Sequence, residues 1–75
     1  APNGEALLRK EKNILRDKIS KLNTDIIQFE NNLGFFGRSE GAEKLKREVQ
    51  EKIDRNKRKV SELRKQLKMI DSNNA

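Results

Sequence analysis

Apolar residues recur at heptad spacing along the first half of the chain. Successive members of this series lie seven, four, three, four, three and four residues apart: Leu8, Leu15, Ile19, Leu22, Ile26, Phe29 and Leu33. The spacing places them on one stripe of an α-helix, at positions a and d of a heptad. Lys12 breaks the stripe at one a position, where its aliphatic stem is expected to cover the seam while its ammonium reaches water. The pattern predicts a helix over about residues 4–33.

A second apolar series runs through the other half of the chain at spacings of three and four residues: Ala42, Leu45, Val49, Ile53, Asn56, Val60, Leu63, Leu67 and Ile70. It predicts a helix over about residues 39–70, with a local straightening where two four-residue spacings meet at Val49. Asn56 is the polar member of the series. Its amide either fixes the register of pairing or simply tilts toward solvent, which is the simpler interpretation for so thin a structure.

Glycine and polar residues separate and end the two segments. Gly34-Phe35-Phe36-Gly37 predicts a turn over residues 34–38, with Gly34 as a left-handed residue after the first helix, and Ser39 is a candidate N-cap for the second. Residues 71–75 are expected to form a flexible tail. The fold class predicted is all-α, an antiparallel two-helix coiled-coil hairpin.

Folding the chain at Gly37 makes the numbers of facing residues add up to about 75. This register pairs Leu33 with Ala42, Ile26 with Val49, Leu22 with Ile53, Leu15 with Val60, and Leu8 with Leu67, and it places Asn56 opposite Ile19.

Composition narrows the function classes. The chain has 75 residues, which is one small domain at most, and it contains no Cys, His, Trp or Tyr. We therefore expect no enzyme active site, no metal, no cofactor and no small-molecule substrate, since no pair of nucleophile and base can be drawn. Its carboxylates alternate with Lys and Arg, as on solvated helix surfaces. There is neither an apolar run long enough for a membrane span nor a visible signal peptide, so we expect a cytoplasmic protein.

Positive charge is concentrated at the open end of the predicted hairpin. The net charge of the chain is +6, yet residues 1–21 together with 55–75 carry 13 basic and 5 acidic residues. Seven of these basic residues form a candidate stripe for an anionic partner: Arg9, Arg16, Lys57, Arg58, Arg64, Lys65 and Lys68. In the predicted register Arg9 lies beside Arg64 and Arg16 beside Lys57, so an anion would relieve repulsion between them. Acidic protein surfaces and nucleic acid phosphates both fit, and a solvated flank is the plain alternative.

Two further features predict contacts with other molecules. At the turn, Phe35 and Phe36 form a candidate docking tip for a partner, in which Phe36 is expected to close the end of the core and Phe35 to stay exposed as the anchor. Leu7, Ile14 and Ile27 lie off the seam of the first helix. Because a two-helix unit hardly shields its own core, self-association into a four-helix bundle is also expected.

One segment carries a family resemblance. Residues 26–36 read IIQFENNLGFF and are followed by Ser39, by Gly41-Ala42-Glu43 and by the basic second helix. They resemble a helical hairpin segment, of C-terminal type, in Bacteroidetes proteins of the domain of unknown function 349 family. The resemblance implies a fragment of a longer, mostly helical bacterial protein of unassigned biochemistry, and it implies no catalytic or binding residues.

Taken together, the residues predict a non-enzymatic structural or protein-protein interaction module. The alternative is a nucleic-acid-binding helical arm that uses the basic stripe at the open end.

Overall fold

Two long helices make up the fold. A computed structural model describes the backbone of residues 2–73 and the side chains of residues 4–72. Helix α1 spans Pro2–Leu33 and helix α2 spans Glu40–Asn73, and the two pack against each other along their length. The predicted all-α helical hairpin is confirmed.

Both helices extend further than the apolar pattern predicts. Helix α1 begins at Pro2, which the first turn of a helix tolerates because the amide hydrogen that proline lacks would have no partner there. Helix α2 continues through Asp71 and Ser72 to Asn73, so these residues do not form the predicted flexible tail. Within this extra turn, Asp71 contacts Lys12 of α1. Residues 74 and 75 of that predicted tail lie outside the described residues.

The connection between the helices occupies residues 34–39. After α1, the amides of Gly34, Phe35 and Phe36 each donate to the carbonyl oxygen three residues earlier, at 3.2, 3.0 and 3.4 Å. These bonds tighten the last turn. No residue in the described range has a positive φ, so the left-handed conformation predicted for Gly34 is wrong. The predicted cap is confirmed, since Ser39 Oγ accepts a bond of 3.2 Å from the amide of Ala42.

The core is a single narrow seam. Only four side chains are buried in the described part of the chain: Leu15, Ile26, Ile53 and Val60. Ile53 is the most enclosed, with 1% of its surface exposed. Other members of the apolar stripes, including Phe29 and Leu33, are half-buried against this cluster. Two helices alone therefore leave both long sides of the seam open to solvent.

The pairing of the helices differs from the predicted register. Three contacts of charged side chains in the described range show how the helices are paired: Lys12 Nζ to Asp71 Oδ1 at 2.6 Å, Lys57 Nζ to Glu30 Oε2 at 3.9 Å, and Lys52 Nζ to the ring centre of Phe29 at 5.9 Å. The predicted pairing would place Leu63 opposite Lys12, eight positions before Asp71. The predicted register is therefore wrong by about seven residues, which is one heptad.

A slip of one heptad explains why apolar spacing did not reveal this register. It exchanges one apolar layer for the next, so that Leu33 comes level with Val49 and Ile26 with Asn56. The slip also staggers the ends of the helices. The molecule is 61 Å long, whereas the 34 residues of α2 span about 51 Å at 1.5 Å per residue, and the difference is about seven residues of rise.

Carbodiimide cross-linking tests this register directly, because the reagent joins an amine to a carboxylate only where the two touch. We expect an amide bond between Lys12 and Asp71, found by peptide mass spectrometry of the monomeric product. In the predicted register the carboxylate nearest to Lys12 along α2 is that of Glu62. A dominant link from Lys12 to Glu62, with none to Asp71, would contradict the observed pairing.

Candidate functional site

A basic groove runs along one side of the hairpin. It has a volume of about 470 Å³ and is lined by two residues of α1 and six of α2: Asn23, Ile26, Lys57, Val60, Ser61, Arg64, Lys65 and Lys68. We call these eight residues the basic groove. Ile26 and Val60 are each 6% exposed and form its floor.

Helix periodicity explains why these residues share one side. Lys57, Ser61, Arg64 and Lys68 follow each other at spacings of four, three and four, which places them on one face of α2. The hydroxyl of Ser61 is short, whereas the basic side chains on either side of it are long. The result is a low centre with a raised cationic rim.

The electrostatics of the groove are one-sided. Its lining residues, all within the described part of the chain, include four cations and no carboxylate. Glu30 approaches Lys57 at 3.9 Å, but both side chains are more than half exposed, so the pair contributes little. A second hollow of about 400 Å³ continues toward the end of α2 and shares Lys65 and Lys68 with the groove. The positive surface therefore extends over several turns of α2.

The structure brings together four of the seven residues predicted for the basic stripe. Lys57, Arg64, Lys65 and Lys68 line the groove, whereas Arg9, Arg16 and Arg58 do not. The predicted closeness of Lys57 to Arg16 is wrong, because the one-heptad slip places Lys57 beside Glu30 instead. The same slip moves Arg64 away from the level of Arg9.

Four lining residues were not among the predicted site residues: Ile26 and Val60, which were predicted only as core, and Asn23 and Ser61. Asn23 and Ser61 are uncharged, so a search for basic residues passes over them. Their heptad positions could have identified them as groove residues. Asn23 is an e residue of α1 and Ser61 a b residue of α2, and in an antiparallel pair the b and e positions of both helices lie on the same side.

Arg16 lies near Asp71 rather than in the groove. The hydrogen bond from Lys12 lowers the pKa of the Asp71 carboxyl below its ordinary value of 3.8, and the positive charges of Lys12 and Arg16 act in the same direction. Partial desolvation opposes them. Because the folded pKa is lowered, the stabilisation from this contact is present above about pH 4 and is lost as the pH falls through the folded pKa.

The opposite side of the hairpin carries two smaller, more neutral hollows. One, of about 420 Å³, is lined by Lys18, Lys21, Leu22, Lys59, Glu62 and Leu63. The other, of about 220 Å³, is lined by Glu11, Ile14, Leu15, Gln66 and Ile70. Ile14, which lines the second of these hollows, is 44% exposed. This side therefore combines apolar surface with charges of both signs.

The tip and the off-seam residues present isolated apolar side chains. Phe35 is 87% exposed and Phe36 is half-buried. Leu7 and Ile27, singled out in the sequence, are both more than half exposed. These side chains are spread along the hairpin, whereas the basic groove gathers its residues into one surface.

Other kinds of site find little support in the described residues. They contain no group of three His, Cys, Asp or Glu residues placed to hold a metal ion. Neither of the two described helices is long and apolar enough to cross a membrane. Comparison of the chain with models of protein families, with curated proteins and with solved structures gives no match.

Proposed function

We propose that the chain is a non-enzymatic protein-protein interaction module that binds a partner along its open seam. One observation carries the proposal: the basic groove has an apolar floor flanked by four cations and is open to solvent. The four buried side chains among residues 4–72 are a small core. A partner that covers the seam would add the apolar burial that two helices cannot supply.

The partner on the opposite side can be a second copy of the chain. Ile14 and the hollows beside it offer the apolar surface that a four-helix bundle would bury. Both copies would then keep their basic grooves free.

A nucleic-acid-binding arm is the second candidate. The absence of any carboxylate among the groove residues favours it, since phosphates are held by clustered Lys and Arg through release of counterions. Aromatic side chains are the usual platforms for bases, and none lines the groove. We therefore place this function second.

Residue chemistry supports the non-enzymatic part of the proposal. A chain without His or Cys lacks the usual catalytic bases and nucleophiles, and its charges suit a surface in water. A cytoplasmic location in a bacterium agrees with that composition. The resemblance to the domain of unknown function 349 family stays a prediction.

Photo-cross-linking at single sites tests the interaction module. A benzophenone amino acid is placed at Ser61 in the basic groove, or at Ile14 on the opposite side, in cells that produce the protein. We expect protein adducts from both positions. At Ile14 the adduct should have twice the mass of the chain, because the proposed partner there is a second copy.

The control carries the same amino acid at Asp17, which is exposed on the outer face of α1. Adducts should be about tenfold fewer there, because random collisions alone would form them. Equal yields at all three positions would refute the interaction module. Adducts of nucleic acid at Ser61 would favour the second candidate instead.

A further inference from the structure

We infer that the basic groove binds an acidic amphipathic helix of a partner protein. This inference rests on the proposed interaction module and names the partner for the same groove. Three properties of the groove lead to it: its length, its apolar floor and the spacing of its cations.

The length and position of the groove suit a helix. Lys57 and Lys68 mark its ends on α2, eleven residues apart, or about 16 Å at 1.5 Å per residue. This length corresponds to about three helical turns. Its lining comes from both helices, with Asn23 contributed by α1 and Ser61 by α2. A third helix laid there would contact α1 and α2 together, as in a three-helix bundle.

The floor of the groove suits an apolar stripe. Ile26 and Val60 lie at the bottom of the groove, and the aliphatic stems of Lys57, Lys65 and Lys68 extend it sideways. Helices that bind in grooves insert apolar residues at spacings of three, four and seven. Such a stripe would cover the side of the seam that the hairpin leaves open.

The positive charges of the basic groove favour a partner with negative charges. Lys57, Arg64 and Lys68 follow each other at seven and four residues, the spacing at which Asp or Glu recurs along one face of a helix. Each exposed ion pair adds little affinity, yet together the pairs fix orientation and speed association. All the cations of the groove belong to α2, so the partner helix is acidic on the edge of its apolar stripe that faces α2.

The same features favour a protein over a nucleic acid. A phosphate backbone would meet the cations but would leave the apolar floor without a contact. The three Phe residues of the chain are at positions 29, 35 and 36, so bases would find no aromatic platform in the groove. Nucleic acid is therefore treated as a competing outcome of the experiment.

Fluorescence anisotropy with the full 75-residue chain tests the inference. The probe is a labelled peptide of about three heptads, longer than the groove because shorter peptides form little helix in water. It has Leu at a and d, and Glu at e and g so that either edge of its stripe can face the cations of α2. A scrambled peptide keeps its composition without the stripe, and an oligothymidylate of similar charge represents nucleic acid. At about 0.15 M salt we expect the amphipathic peptide to bind about tenfold more tightly than either competitor.

Paired charge reversals locate the site. Arg64→Glu with Lys68→Glu should weaken peptide binding about tenfold or more. The matched control is Lys44→Glu with Arg47→Glu, which makes the same change of net charge at exposed positions of α2 outside the groove and outside the hollows on the opposite side. That control should bind within about twofold of the unmodified chain. Circular dichroism confirms that both variants remain helical, and Arg64→Gln with Lys68→Gln replaces the first pair if it unfolds.

The outcomes separate this inference from the proposed function. Equal binding of the scrambled peptide, or equal weakening by both charge reversals, overturns the inference of an acidic helix. Tighter binding of the oligonucleotide also overturns it and assigns the groove to nucleic acid. If Ser61 still forms protein adducts in cells while the peptide does not bind, the interaction module stands and only its acidic-helix partner is wrong.

Discussion

Ile53→Ala should unfold most of the protein. Ile53 has 1% of its surface exposed and lies in the central cluster with Ile26 and Val60. Removing so many buried methyl and methylene groups lowers the free energy of unfolding by about 2–5 kcal/mol. A hairpin with such a small core has little stability to lose. Thermal and urea unfolding, followed by far-UV circular dichroism, would measure the loss.

Ile27→Ala is the matched control, because it makes the same chemical change on an exposed helical site. Ile27 is 58% exposed. The Ile27→Ala substitution should therefore change the free energy of unfolding of the protein by less than about 0.5 kcal/mol. The comparison removes the effect of changing isoleucine to alanine as such. A similar loss of stability in both variants would mean that Ile53 does not lie at the centre of the core.

The two helices were predictable because their apolar residues keep strict helical spacing. Leu15 and Ile26 of the first series, and Ile53 and Val60 of the second, are the four side chains that are buried in the part of the chain that the structure describes. The cap at Ser39 was also predictable, since its hydroxyl accepts a bond from the backbone in the way that helix starts require. Both features depend on residues that are close together in the chain, so the sequence alone predicts them.

The register was not predictable from apolar spacing, because heptad layers look alike after a shift of seven residues. Charged contacts distinguish the two registers. In the predicted one Lys57 lies near Arg16, whereas in the observed one it lies near Glu30. Lys12 likewise exchanges an apolar neighbourhood for Asp71. We therefore expect charged contacts, although each contributes little, to decide between pairings whose apolar layers look alike.

Part of the basic groove could be predicted from the sequence, because helical periodicity alone places some of its residues. Residues close together on α2 alone, such as Lys57 and Arg64, needed only helical periodicity to be placed on one face. Asn23 and Ile26 join the groove from α1, so their place depends on the fold that brings the two helices together. The cations of one helix follow from sequence, whereas the shape of the groove between two helices does not.

Asn56→Leu should stabilise the hairpin without changing its register. Asn56 is half-buried on the seam and comes level with Ile26. A leucine there would bury apolar surface in place of an amide and should raise the free energy of unfolding by about 1 kcal/mol. For a chain of this size that gain raises the midpoint of thermal unfolding by about 4–8 °C. Circular dichroism during heating would measure it.

The same variant shows what holds the register. If charged contacts hold it, carbodiimide should still join Lys12 to Asp71 in Asn56→Leu with the yield of the unmodified chain. If the amide of Asn56 selects the register, as a polar residue can in a helical seam, that link should weaken and others appear. We expect the first result, because a one-heptad shift leaves Asn56 opposite an isoleucine in either register, Ile19 or Ile26. An amide that meets the same kind of neighbour in both registers cannot choose between them.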